Sequence, residues 1–477
     1  MPHTPRLQAS PLNIAQRVRM ISNHVGDQAP VLFTSDRATR TFTLNRPSKF
    51  NALDGAMIGL LKDKIHEWNN ADLCNIVIGR GAGRAFCAGG DVRVVVEHSA
   101  KEETRHLAVS YFKDEFELDY TMAQMKKPYV AVWDGHVMGG GVGLSIHARF
   151  RVATEKTQFA MPETKIGYCP DVGASFFLSR LDGELGTYLA LTGNVISGRA
   201  VFEHRLATHF VPSSRIPALL DALASLENAD EAQINNTIEL FYEEPQAGGS
   251  SPLVGGIRAA LDQTFKHNDV ESILKNLEGL SDKENNVGDW AKSTLAELRS
   301  RSPTSLKVAL EAVRRGQTMT LEQALQMEYQ LASAFCSGAT GDFITGVHAV
   351  LVDKVKGTPE WNPADVADTS YPEIISRFFD SQSPYHAKDQ LALDEQVRNP
   401  EHFMQYSLPA ESEVAEHVLG TSRESSSKGL NRDELMSIIR NRYPNKGGLD
   451  HRMEEIIARK CTIAEDPDNF HHVRWKH

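Results

Sequence analysis

The stretch "PYVAVWDGHVMGGGVGLSIHARFRVAT", residues 128–154, constrains the fold most. An apolar, β-rich run ends at Asp134-Gly135. Three consecutive glycines, 139–141, then open a segment of helical character, and "FRVAT" returns to a strand pattern. Strands joined through a helix need a crossover connection, which argues an α/β architecture. The same alternation runs through the preceding sequence. "VLFTSDRATRTFTL" (31–44) reads as two short strands around a turn, and "DGAMIGLLKDKIHEWN" (54–69) has helical periodicity. "NIVIGR" (75–80) is a buried strand, and a helix is expected after Glu102 as far as Met125.

Beyond about residue 212 the strand signal fades and helices follow. They are interrupted by a loop at "EPQAGGSSP" (244–252). "SPTSLKVALEAVRRG" (302–316) begins with a capping residue, and "TLEQALQMEYQLASAF" is a further helix. A third part, from Ser381, is polar and mixed in charge, with a flexible segment expected at "TSRESSSKG" (421–429). It is expected to bury little core of its own and to dock on a partner through "NRDELMSIIRNRY" and "LDHRMEEIIARKC". Ending the chain after Asp380 is therefore expected to leave any chemistry upstream intact.

The chain has 477 residues, enough for two or three units, and its net charge of −11 disfavours binding to nucleic acid or an anionic membrane through bulk electrostatics. No apolar run is long enough to cross a membrane. Five scattered cysteines without a CxxC pair argue against a disulfide framework or a zinc site. The first 26 residues lack Asp and Glu but carry Arg6, Arg17 and Arg19. Ile14, Val18, Ile21 and Val25 fall on one helical face there. That is the pattern of a mitochondrial presequence, and also of an ordinary surface helix.

Chemistry concentrates in three places. "RAFCAGGD" (84–91) and "DGHVMGGGVG" (134–143) are glycine turns whose backbone N–H groups can approach a ligand, the second at the start of a helix. Together they can form an oxyanion hole; either alone is also explained by tight packing. "FAMPETKIGYCPDVG" (159–173) sets Glu163 and Asp171, each directly after a proline, among small and apolar residues. Burial and mutual repulsion raise the pKa of such a pair, so that one acid can hold a proton while the other acts as base or nucleophile.

"RPSKFNALD", "AFCAGGD", "MGGGVGLSIHARFRVATEKTQFAMPETKIGYCPDVG", "SPTSLKVAL" and "GVHAVLVDK" occur in that order. With them the chain resembles the crotonase (enoyl-CoA hydratase/isomerase) superfamily over roughly residues 29–380. The resemblance implies an α/β spiral of ββα turns at 29–212 and a helical C-terminal region at 213–380. A segment at 381–477 is then an additional extension, and 1–28 a mitochondrial targeting segment. It implies an acyl-CoA substrate, with the thioester oxygen held by the N–H groups of Gly90 and Gly140. Lys49, Asn51, Ala52, Ala88 and Asp91 would lie along the CoA path. No metal or redox cofactor is implied, CoA being part of the substrate, and a homo-oligomer is.

The acids separate branches of the family. Hydratases of the family carry a catalytic glutamate shortly after the glycine triplet, where this chain has Gly143, and a second one matched by Glu163. The branch that hydrolyses 3-hydroxyisobutyryl-CoA in valine catabolism pairs Glu163 with Asp171. It adds an acid from the preceding helix, matched by Glu115, for which a solvated acidic face with Asp114 and Glu117 is the alternative. Cys87, Cys169 and His136 near these motifs are expected to serve packing or the rim. "TGVHA" (345–349) stands where relatives carry "EGVRA", which touches CoA contact rather than thioester chemistry. The tail beyond Phe379 resembles that of fungal relatives, some of which associate with the mitochondrial small ribosomal subunit. A structural subunit and an enoyl-CoA hydratase or isomerase are therefore the rival readings to a thioester hydrolase.

Overall fold

The computed structural model describes residues 29–244, 251–394, 398–421, 429–465 and 471–476. The acid-free N-terminal segment and most of 244–252 and 421–429 lie outside the described residues.

β1 (Val31–Asp36) and β2 (Thr39–Leu44) pair as an antiparallel hairpin. The strands that follow come in couples: β3 (Ile76–Gly81) with β4 (Ala85–Cys87), β5 (Tyr129–Trp133) with β6 (His136–Met138), and β7 (Phe150–Ala153) with β8 (Gln158–Ala160). The last couple is β9 (Ile196–Ser197) and β10 (His209–Phe210). The first member of each of the first three couples extends a sheet of order β1-β2-β3-β5-β7-β10, parallel from β2 onward. The second members of those three couples, joined by β9, build a smaller sheet, β4-β6-β8-β9, while β10 ends the large one. Each turn of the chain thus adds one strand to both sheets and returns through helix, the expected spiral of ββα turns.

Both faces of the large sheet are covered, as a parallel sheet requires. Ile76, Ile78, Val130, Val132, Phe150 and Val152 face the helices Ile216–Ala224 and Glu231–Glu239. On the other face lies the main core, entered by α1 (Gly55–Asn69) and α2 (Arg105–Ala123). Asp54 caps α1 by accepting a hydrogen bond from the Met57 N–H at 3.0 Å, and Met57, Leu61, Ile65 and Trp68 form its buried stripe. The glycine triplet opens α3 (Gly140–Ile146), and α4 (Ala174–Leu178) follows the second acid of the proline-flanked pair. The helices after residue 212 include α5 (Leu321–Cys336), which begins with a capping box between Thr320 and Gln323.

The segment after residue 380 departs from expectation. Residues 385–394 and 398–408 return across the spiral as a strap along α2. Asp389 pairs with Lys113 and accepts a hydrogen bond from the Tyr329 hydroxyl at 2.9 Å. The Ala392 N–H reaches Glu117 at 2.9 Å, and the Arg398 N–H reaches Gln124 at 2.7 Å. Phe403 is buried against His147 and Phe176, and its carbonyl accepts from the fully buried Arg151 guanidinium at 2.7 Å.

The remainder is not the coreless tail expected from its composition. α6 (Glu411–Val418), α7 (Arg432–Arg442), α8 (Leu449–Lys460) and the hairpin of β11 (Cys461–Glu465) with β12 (His471–Trp475) enclose a core of their own. Val414, Leu435, Ile439, Met453, Ile456 and Val473 meet there. The apolar faces of α7 and α8, assigned to a partner from sequence, are used within the chain. The unit then docks on the spiral through charge. Arg452 meets Asp182 at 2.5 Å, Lys446 meets Glu239 at 2.7 Å, and Glu411 meets Arg258 at 3.6 Å. No described helix is long and apolar enough to cross a membrane.

Candidate functional site

β4, β6 and β8 run parallel, and their C-terminal ends deliver three short loops to one cavity. β4 leads to Ala88–Gly90, β6 to Gly139–Gly140, and β8 to Pro162–Glu163. α2 closes a side with Tyr111, Phe112 and Glu115, and the turn before α4 contributes Asp171. The cavity measures about 140 Å³, with Val92, Ile166 and Leu351 adding apolar wall.

Two backbone donors are left free at its rim. The Leu53 N–H bonds Gly89 O at 2.8 Å and the Asp91 N–H bonds Leu53 O at 2.7 Å, so the alternate N–H, that of Gly90, points away from this bridge. The Gly140 N–H is the first of α3 and has no carbonyl one turn before it. Neither donates to an acceptor among the described residues. A Cβ on Gly140 would collide with Glu115 Oε1, so only glycine lets this N–H and that carboxyl face the same space.

Three expected acids converge there. Glu163 is 7 % exposed, Asp171 5 % and Glu115 2 %, so the solvated alternative for Glu115 does not hold; Asp114 faces solvent instead. Glu163 Oε2 and Glu115 Oε1 have no hydrogen-bond partner among the described residues. Burial, with a smaller contribution from the Glu115 charge, raises the Glu163 pKa to about 8. Burial likewise raises Glu115 to about 8, against the opposing pull of the Tyr111 hydroxyl. Asp171 is pushed well up by burial and by the charges of Glu163, Glu115 and Glu328. The Tyr168 hydroxyl donates to Asp171 Oδ2 at 2.9 Å, and its ring is stacked between Phe112 and Phe343. Charge rather than a shared hydrogen bond couples Glu163 to Asp171. A group of acids raised in this way holds protons at neutral pH that ordinary carboxyls would have lost.

Gly143 is the position where a second hydratase glutamate is expected. A Cβ there would lie 2.5 Å from Asp119 Oδ2 and 2.6 Å from Val172 Cβ. That space is filled.

The expected CoA-path residues divide. Ala88 is in the cavity wall; Lys49, Asn51, Ala52 and Asp91 are not. Asn51 requires correction as a ligand contact. It is fully buried, its Nδ2 donates to the carbonyls of Ala82 (2.9 Å) and Ala85 (2.8 Å), and its Oδ1 accepts from the Arg46 N–H (2.8 Å). Asp91 is held by Arg46 at 3.1 Å and Lys49 at 3.2 Å; burial opposes its charge, but these two cations outweigh it and lower its pKa. Lys49 itself is largely exposed. Cys87 and Cys169 are buried, burial driving the Cys87 thiol to about 12, and neither lines the cavity. His136 packs edge-on against Phe50.

Four polar groups at or behind the site were not anticipated: Tyr111, Asp119, Tyr168 and Glu328. Asp119 lies one helical turn beyond Glu115, a spacing visible in "EFELDY". Glu328 interrupts the apolar stripe Ala324, Leu325, Tyr329, Leu331 of α5, an acid where the helix faces the core. Among the described residues no group of His, Cys, Asp and Glu is arranged to hold a metal ion.

A family model described as enoyl-CoA hydratase/isomerase matches residues 39–379. The small ribosomal subunit protein mS47 of Neurospora crassa is 36 % identical over 98 % of this chain and 92 % of that protein. The mitochondrial 3-hydroxyisobutyryl-CoA hydrolase of Rattus norvegicus is 39 % identical over 76 % of this chain and 92 % of its own length. Among solved structures, a carnitinyl-CoA dehydratase from Mycobacterium thermoresistibile is similar with a TM-score of 0.68 and 31 % identity. That likeness covers 77 % of this chain and all of the other.

Proposed function

The chain belongs to the enoyl-CoA hydratase/isomerase family, and on that premise we propose that it hydrolyses the thioester of 3-hydroxyisobutyryl-CoA, in mitochondrial valine catabolism. The supporting observation is the distribution of acids. Glu115, Glu163 and Asp171 meet two free N–H groups in one cavity, while Asp119 and Val172 occupy the space a second hydratase glutamate would need. The thioester oxygen lies between the N–H groups of Gly90 and Gly140, which stabilise its negative charge as the carbonyl carbon becomes tetrahedral. Glu163, in its ionised form, populated increasingly as pH approaches its raised pKa of about 8, either attacks that carbon to give a mixed anhydride that water then hydrolyses, or takes a proton from the attacking water. CoA leaves as a thiolate and receives a proton from Asp171, whose raised pKa keeps that proton available. Glu115 faces the acyl group and its hydroxyl from α2.

Free-thiol release across a panel of 3-hydroxyisobutyryl-, 3-hydroxybutyryl- and crotonyl-CoA tests this reading, with hydration of crotonyl-CoA followed in parallel. Release from the hydroxyacyl thioesters without crotonyl hydration is expected. Glu163→Gln should lower release by at least about 10²-fold in a folded protein. A folded variant with the normal rate, or hydration in place of thiol release, overturns it.

A second role is favoured by a separate observation. The relative named as a small ribosomal subunit protein matches the extension as well as the spiral, covering 98 % of this chain. We propose that the chain also associates with the mitochondrial small ribosomal subunit. Cosedimentation with that particle checks it, and a protein found only in the soluble fraction counts against it.

A further inference from the structure

Asp171 is followed by an unusual piece of backbone. Val172 has φ +56° and Gly173 φ +87°, two successive left-handed residues. For a β-branched residue that conformation is strained, and it persists only where the surroundings over-determine it. Val172 is buried, with its side chain packed at the Cα of Gly143. Gly173 adopts its positive φ without strain, and a Cβ there would crowd His147 Nε2 at 3.0 Å and Leu321 Cδ1 at 3.2 Å.

The turn is held from behind by a residue that does not line the cavity. Glu328, fully buried on α5, accepts hydrogen bonds from the Gly173 N–H at 2.6 Å, the Ser175 N–H at 2.8 Å and the Ser175 hydroxyl at 2.6 Å. In front, Tyr168 holds the Asp171 carboxyl at 2.9 Å. The strained residue therefore sits between two fixed points, and the carboxyl position follows from both. All three groups donate to one carboxyl, two to Oε1 and one to Oε2, and three such bonds leave the turn little freedom.

We propose that Glu328 is a positioning residue. It clamps the Asp171–Ser175 turn in its left-handed conformation and so sets where the Asp171 carboxyl stands relative to Glu163 and the Gly140 N–H. The proposal rests on the reading of this cavity as a thioester hydrolysis site.

Glu328→Gln keeps the shape of the side chain but turns one acceptor into a donor facing an N–H. Thiol release should fall about 10-fold in kcat with KM changed less than about twofold, because the reacting group is misplaced while CoA contacts are untouched. Amide hydrogen exchange at residues 172–175 should accelerate while exchange in β5 and β7 stays slow. Ser175→Ala, which removes one bond and keeps both backbone ones, provides a milder variant should the first fail to fold. A roughly threefold fall in kcat is expected for it. Either folded variant with unchanged kcat and unchanged exchange overturns the proposal. So does a lowered melting temperature with a normal rate in the folded fraction, which marks a purely structural role. If the wild-type protein releases no thiol from any acyl-CoA, the functional reading fails on its own. The exchange measurement still judges the clamp, and unaltered exchange at 172–175 in the variants rejects it.

Discussion

Asp119 illustrates what the site demands of single residues. Both its oxygens lack partners among the described residues, and it is 1 % exposed. Burial first, then the charges of Glu115, Asp171 and Glu328, push its pKa well up. A carboxyl raised on folding binds its proton more tightly in the native state than in the unfolded chain. Native stability is therefore fullest below the ordinary carboxylate range and falls as pH rises from there toward the folded pKa. Asn cannot ionise, so Asp119→Asn should raise the melting temperature at about pH 8 and leave it unchanged near about pH 4. Equal melting temperatures at both pH values would show that Asp119 carries no such penalty. Glu163, Asp171 and the two glycine donors were legible because they sit in short contiguous motifs. Asn51 was misjudged, since a motif does not reveal whether a polar side chain faces ligand or scaffold. Glu328 was missed because it lies about 155 residues from the turn it holds, and only the packing of α5 brings them together.

Elements were read well wherever hydrophobic period decided them. The alternation of strands and helices follows from apolar runs and helical periodicity, α1 and α5 among them, whereas the ββα form of each turn came from the family resemblance. The strap of 385–394 and 398–408 had no such period, because it is held by scattered contacts to α2 and β7 rather than by a face of its own. Its contacts argue against the expectation that residues after Asp380 are dispensable for the chemistry. α2 carries Glu115 toward the cavity, while its opposite side is bonded to the strap through Lys113, Glu117 and Gln124. Ending the chain after Asp380 uncovers Arg151 and His147 and removes Phe403, a loss of at least about 3 kcal/mol by comparison with buried Phe→Ala changes. The shortened protein should melt well below the full chain and hydrolyse acyl-CoA poorly. A chain ending after Leu408 keeps the strap and should retain most of the rate. Calorimetry with thiol-release kinetics on both lengths checks this; full activity and an unchanged melting temperature without the strap would refute it.

At the scale of the whole molecule, the extension is a folded unit attached by a buried charge network. Asp182, in the turn before the helix Leu185–Thr192, is the junction. Its carboxyl meets Arg205 at 3.2 Å and Arg452 at 2.5 Å and accepts the Glu411 N–H at 3.0 Å. Burial alone would raise its pKa, but Arg205 and Arg452 outweigh it and hold the group well below the usual carboxylate range. A depressed pKa stabilises the docked state above the ordinary carboxylate range, and that stability is lost as pH falls toward the folded value. Removing the charge leaves the buried Arg205 guanidinium without its counter-ion and Arg452 with Glu455 alone at 3.8 Å, and losing one partner of a buried pair costs about 3–5 kcal/mol. The network lies away from the cavity, none of whose lining residues belongs to it. Asp182→Asn should therefore let the unit from α6 to β12 unfold in a separate, earlier calorimetric transition, with tryptic cleavage appearing first at Arg440 and Arg442. Thiol release by the spiral should stay near the wild-type rate. The proposed association with the small ribosomal subunit should weaken in parallel. A single transition at the wild-type temperature, with protease resistance retained, would mean that the docking is carried by packing such as that of Gly447 on the Tyr242 ring, where a Cβ would collide with Cγ, and that the charges only orient it.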